Sequence, residues 1–161
     1  MTQNEHNNVT DHGIIIKDAD SHFTIDINTR AITNANNKKT SLIQYDHNSE
    51  RFSFDINRTI EGHDILLCNR VRVHYVVETT GRSRVKPLPG LYDVTDLKAH
   101  PSYSTKACFS WLISEDVTRY DGKLSFLISF ECVKNGKTVY RWNSGICDSI
   151  VVVPGMNNGN T

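Results

Sequence analysis

Between Asp46 and Asp64 the sequence reads DHNSERFSFDINRTIEGHD, and carboxylates, imidazoles and a hydroxyl crowd both ends of it. Asp46, His47, Ser49 and Glu50 precede the alternating run RFSFDI, and Glu61, His63 and Asp64 follow it. Two chemistries use such residues. His47 and His63 with Asp46, Glu50 or Asp64 would supply enough nitrogen and oxygen ligands for a zinc ion. Ser49, His47 and Asp46 carry the residue types of a nucleophile, its base and the group that orients the base.

Spacing argues against both. A whole strand separates the two histidines, and the ends of a strand of ~7 residues lie about 20 Å apart at 3.3 Å per residue. They would meet only if the chain after Asn57 turned straight back along RTIEGHD. Ser49, His47 and Asp46 are too close in sequence to aim at one another from an extended chain, and no GxSxG nucleophile elbow occurs. Nor does anything mark a place where backbone N–H groups converge into an oxyanion hole. The same residues suit loops better. Asp46, Asn48 and Ser49 bond their own backbone and shape a turn before the strand. Asn57 ends it, Gly62 offers a position open to positive φ, and Asp64 caps a short turn into ILLCN. The clusters read as strand-end loops. No catalytic residue, no metal ligand and no cofactor is expected.

The four cysteines, Cys68, Cys108, Cys132 and Cys147, form no CxxC pair and are far apart in sequence, which argues against a zinc knuckle or a redox motif. All four read as free thiols. Cys132 falls in register with Leu124, Phe126, Ile128 and Phe130 and reads as a small buried hydrophobe. Cys108 alternates with Ala107, Phe109 and Trp111 and belongs to the opposite face. Trp111 reads as core. Trp142 shares a face with Tyr140 and Thr138, so Trp142 and Tyr140 are candidates for packing under a loop, for a subunit interface, or for stacking on a surface ligand such as a sugar.

The elements that would position these residues are strands. Phe52, Phe54 and Ile56 alternate with Arg51, Ser53 and Asp55; Val71, Val73, Tyr75 and Val77 alternate with Arg70, Arg72 and His74; Leu124 to Cys132 share one face. Alternation at period two with β-branched and aromatic enrichment is the signature of half-buried strands. ACFSWLIS, TVYRWN and SIVVVP add more. Asn135-Gly136 marks a hairpin, because both central positions tolerate positive φ, and Asp121-Gly122 opens the strand before it. A second hairpin is expected in HFTIDINTRAIT, about Asn28 and Thr29. No segment has the periodicity of an amphipathic helix. Seven or eight short strands predict an all-β fold: an antiparallel β-sandwich of immunoglobulin-like or jelly-roll-like type, without the Cys…Trp…Cys spacing of a true immunoglobulin domain.

Composition narrows the partners. Eighteen basic and eighteen acidic residues cancel, which removes the simplest argument for nucleic acid. Arg82, Arg84 and Lys86 lie in TTGRSRVKPLPG, whose glycines and prolines read as a solvated loop. No apolar run approaches the ~20 residues of a membrane span. The N-terminal residues lack the basic and apolar regions of a secretory signal, so the chain is expected to remain in a cytoplasm or leave by lysis.

Taken in order, DHNSERFSFDINRTIEGHDI, VRVHYV, GLYDVTDLK, CFSWLISEDVTRYDGKLSFLISFECV and YRWNSGI form a series. Over about Tyr45 to Val153 it resembles tailed-phage and prophage proteins similar to the N-terminal domain of siphophage baseplate upper proteins. The resemblance implies a β-sandwich that attaches to other virion proteins, with no catalytic residue to carry over. Baseplate proteins continue into a long receptor-binding region that is not present in this sequence. A capsid decoration protein, a head-fibre anchor or a tail adaptor on the same sandwich therefore stays open, and a carbohydrate-binding module is the competing class. The expected partners are other virion proteins, tail or capsid, with the chain as a homo-oligomer or multi-copy component.

The expected organisation is an N-terminal arm, hairpin and linker over 1–44, a sandwich over 45–154 and a tail over 155–161. Met1 to Gly13 has too few apolar residues to offset backbone ordering and is expected to be disordered alone. Ile14, Ile15, Ile16, Phe23, Ile25 and Ile27 would be a costly apolar exposure on a monomer, so Ile14 to Ile32 is expected to order against another subunit, by strand addition or packing. On that expectation a chain lacking 1–34 still folds.

Overall fold

The computed structural model describes residues 21–35, 41–79 and 89–156. Ile14, Ile15, Ile16, the arm before them and the Arg82–Lys86 loop lie outside the described residues.

Two sheets face each other. The first has the order β2 (Ile32–Asn34), β1 (Ser21–Ile25), β4 (Glu50–Asn57), β10 (Lys106–Ile113), β9 (Lys98–Ala99). The second has the order β3 (Ser41–Ile43), β13 (Cys147–Val153), β11 (Gly122–Lys134), β7 (Arg70–Thr79), β8 (Gly90–Asp93). β12 (Lys137–Asn143) joins the second sheet beside β11, which is long enough to hold β13 along its first half and β12 along its second. A small ribbon, β5 (Thr59–Ile60) with β6 (His63–Asp64), stands apart from both. One helical turn, α1 (Glu115–Thr118), follows β10 and is capped by the Ser114 side chain.

The expected alternation is present. Phe52, Phe54, Phe109 and Trp111 point inward from the first sheet and Leu124, Phe126, Ile128 and Phe130 from the second, all of them buried. The layers meet through rings: Phe126 lies edge-on to Trp111 at 5.2 Å and to Phe54 at 6.0 Å, and Phe130 lies edge-on to Phe109 at 5.7 Å. Edge-to-face pairing of this kind adds to the area term of burial.

Turns follow their residues. Asn135 and Gly136 both take positive φ between β11 and β12. Asp26 accepts from the N–H groups of Asn28 and Thr29 and folds the β1–β2 hairpin. Gly122 opens β11 at φ 149°, where an added Cβ would sit 2.0 Å from the Glu78 carbonyl oxygen.

The expected boundary at residues 44 and 45 is corrected. β1 pairs with β4 in parallel, and β3 pairs with β13 in parallel. The chain leaves the first sheet after β2, contributes β3 to the second, and returns as β4, so two parallel contacts arise in a fold expected to be antiparallel. Phe23 and Ile25 are consequently core residues, at 0% and 2% exposure, rather than a surface for a partner. Ile27 is half-buried against the same core. Alternation says that one face of a strand is apolar; it does not say which chain covers that face.

Candidate functional site

The two polar clusters do not meet. His47 sits before β4, where its Nδ1 accepts from the Glu115 N–H at 3.0 Å. Thr118 donates its hydroxyl to the Asp46 carbonyl at 2.6 Å, so this loop is tied to α1. Asn48 takes positive φ there, the turn-shaping role expected of it. The other cluster lies past the far end of the eight-residue β4. Glu61 and Gly62 both take positive φ and reverse the chain between β5 and β6. Asp64 caps the 3₁₀ turn Ile65–Leu67 through the Leu66 N–H at 3.0 Å and pairs with Arg58. The Arg58 hydrogen bond, then that N–H, hold its carboxyl below the usual carboxylate range.

That hairpin carries His63 toward two cysteines instead. Asn69 explains why they are adjacent. Its N–H donates to the Glu131 carbonyl at 3.0 Å, and its side-chain amide bonds both the Val133 carbonyl and the Val133 N–H, at 2.9 and 2.8 Å. Asn69 thus brackets Cys132 on β11 and places its neighbour Cys68 beside it, the sulfurs 3.6 Å apart. The His63 Nε2 lies 3.5 Å from the Cys132 sulfur and 4.0 Å from the Cys68 sulfur. Its ring stacks on Tyr140 at 3.8 Å between centroids and 14° between planes. Among the described residues, His63, Cys68 and Cys132 form the one group whose three ligating atoms all lie within 4.8 Å of each other. Burial, reinforced by the neighbouring Cys132 sulfur, pushes the Cys68 thiol up to about 12. A thiol held in that state is a poor nucleophile.

A second convergence also went unseen in the sequence. On the outer face of the first sheet His22 lies between Ser53, 2.7 Å from its Nδ1, and Asp55, 2.6 Å from its Nε2. Lys106 reaches the other Asp55 oxygen at 3.5 Å. The residue types are those of a hydrolytic triad, but β4 is paired on both sides, with β1 and with β10. Its N–H groups are committed to ladders, so the strand has none to aim at an oxyanion. The parallel register sets His22 opposite Ser53, and the network serves as a cross-strand clamp.

Trp142 is buried, and the Arg30 guanidinium of the β1–β2 turn lies 4.9 Å over its ring. Arg30 also donates to the Asn143 carbonyl at 2.9 Å, and its own carbonyl accepts from Gly145 at 2.8 Å. Trp142 is thus packed beneath the β1–β2 turn. Tyr140 is half-buried against His63 and the core.

The outer face of the second sheet holds an apolar cleft of about 440 Å³. Leu91 and Ile146, both more than half exposed, flank it with Val76, Leu127 and Pro89. Beyond it, buried Glu131 bridges Arg70 and Arg141. Burial raises the Glu131 carboxyl, but the two arginine hydrogen bonds outweigh it and hold the group below its ordinary value. Among the described residues no helix is long and apolar enough to cross a membrane. No protein-family model matches the sequence, and no curated protein matches it.

Proposed function

We propose that the protein is a non-enzymatic structural module of a tailed-phage virion, a baseplate or tail adaptor that works through protein–protein contacts. The observation that carries this reading is the apolar cleft outside the sandwich, where Leu91 and Ile146 stand exposed beside the edge strand β8. Exposed apolar surface grouped in this way suits contact with another macromolecule. The motif residues that resemble the baseplate family support it. Trp111 fills the core, Ser114 caps α1, Thr118 holds the Asp46 loop, Gly62 turns the ribbon and Asp64 caps the next turn. A motif used for framework suits an assembly module. Capsid decoration or head-fibre anchoring on the same sandwich is the alternative location. The carbohydrate-binding reading loses ground, because Trp142 lies under Arg30.

The test is mass spectrometry of particles banded on a density gradient from cells that express the gene with its genomic neighbours. The chain is expected in fixed ratio to tail or baseplate proteins, and fixed association with capsid proteins alone would move it to the head. A double variant, Leu91→Asp with Ile146→Asp, should fold yet be missing from particles. Absence of the unaltered chain from every particle would overturn the reading.

A further inference from the structure

The distances among His63, Cys68 and Cys132 have a meaning beyond contact. Zinc bound at about 2.3 Å to sulfur and about 2.0 Å to imidazole nitrogen, in tetrahedral geometry, sets sulfurs about 3.8 Å apart and nitrogen about 3.5 Å from each sulfur. The corresponding separations here are 3.6 Å between sulfurs, and 3.5 and 4.0 Å from Nε2 to sulfur. Three atoms from two stretches of chain, 63–68 and the end of β11, already stand close to the corners of one face of that tetrahedron. Their framework is fastened independently: Asn69 fixes Cys68 against Cys132, the Asp64 cap sets the path from His63 to Cys68, and Tyr140 orients the imidazole.

We propose that His63, Cys68 and Cys132 form a zinc site that staples the β5–β6 ribbon to the end of β11. Binding removes the two thiol protons and uses the neutral Nε2 lone pair, giving a Cys₂His ligand set. The fourth position is left to water. Soft thiolate donors beside imidazole select zinc over calcium or magnesium, which take oxygen ligands. The ribbon is hydrogen-bonded into neither sheet, and a metal anchor would add to the hold that its buried Ile60 already has on the core. The two remaining cysteines have no part in this. Cys108 lies on the outer face of β10 and Cys147 begins β13.

The test uses the full chain, purified under reducing conditions and freed of metal, with cobalt(II) as the spectroscopic probe and zinc as competitor. One equivalent of cobalt should give a thiolate-to-metal charge-transfer band and intense visible bands of a tetrahedral site, both abolished by one equivalent of zinc. Cys68→Ser and Cys132→Ser should each remove the charge-transfer band or halve it. His63→Asn should weaken cobalt affinity at least tenfold, as loss of a ligand does. A Cys108→Ser, Cys147→Ser double variant should bind like the unaltered chain. Because Cys132 is buried, circular dichroism of each variant checks its fold, and half-buried Cys68 with His63 keeps the test decisive if Cys132→Ser fails to fold. Zinc should raise the Tm of the unaltered chain and leave that of Cys68→Ser unchanged. No tetrahedral cobalt spectrum in the reduced chain would overturn the proposal. So would a Cys68–Cys132 disulfide that persists in the purified protein, seen as a loss of two hydrogens in the intact mass.

Discussion

Replacing Phe23 by Ala asks whether the N-terminal hairpin belongs to the domain or is an attachment waiting for a partner. The ring is fully buried and lies 5.1 Å from Phe52, 5.3 Å from Phe54 and 6.0 Å from Phe126, so it touches both sheets. Truncating a buried Phe to Ala costs about 3–5 kcal/mol, the transfer term plus the cavity left behind. β1 has β2, the outermost strand of its sheet, on one side, which lets the site relax in part and favours the lower end of that range. A domain of this size has about 5–15 kcal/mol in all. With a urea slope of roughly 1–3 kcal/mol per molar, a loss of about 3 kcal/mol moves the midpoint down by roughly 1–3 M. Urea titration followed by the fluorescence of buried Trp111 and Trp142 measures it. A change within about 0.5 kcal/mol, the range of exposed substitutions, would refute the placement of Phe23 in the core. By the same reasoning, deleting 1–34 removes Phe23, Ile25 and Ile32 together and should abolish cooperative unfolding, contrary to the expectation drawn from the sequence.

Three further outcomes follow from particular contacts. Gly122→Ala should lower stability by more than about 1 kcal/mol, read as a drop in Tm, because its Cβ would meet the Glu78 carbonyl and its φ suits only glycine. Ser114→Ala removes the cap on the Asp116 N–H and should cost about 0.5–2 kcal/mol in urea titration, with the His47 loop loosened alongside α1. Asp26→Ala should lower Tm at neutral pH, since the Thr29 and Asn28 N–H groups hold the Asp26 carboxyl below its ordinary value. A depressed folded-state value stabilises above the unfolded value of about 3.9 and is lost as pH falls through the folded value. The Tm gap between the two proteins should therefore hold down to about pH 4 and close below it.

Much of the framework was legible in local pattern. Alternation placed Phe52, Phe54, Phe109, Trp111 and Phe126 inside, because period two is imposed by the pleat itself. Asn135-Gly136, the hairpin about Asn28 and Thr29, Gly62 and the Asp64 cap were also readable, since each depends on φ preference or on local side-chain to backbone bonding. What the sequence did not disclose is every feature made by strands meeting across long separations. The parallel pairing of β1 with β4 sets His22 between Ser53 and Asp55, and it buries Phe23, which alternation alone could not distinguish from a surface awaiting a partner. Sequence alone left Trp142 open to loop packing, an interface or a ligand, and only the fold shows the β1–β2 turn bringing Arg30 over it. The cysteines show the division most sharply. Sixty-four positions separate Cys68 from Cys132, yet Asn69 sets them 3.6 Å apart with the His63 imidazole against both. By itself the sequence determined which residues are apolar, where the chain turns and which face each strand hides, because those follow from neighbours along the chain. Only the tertiary structure decided which groups share a site, because register between distant strands is settled by the packing of the whole core.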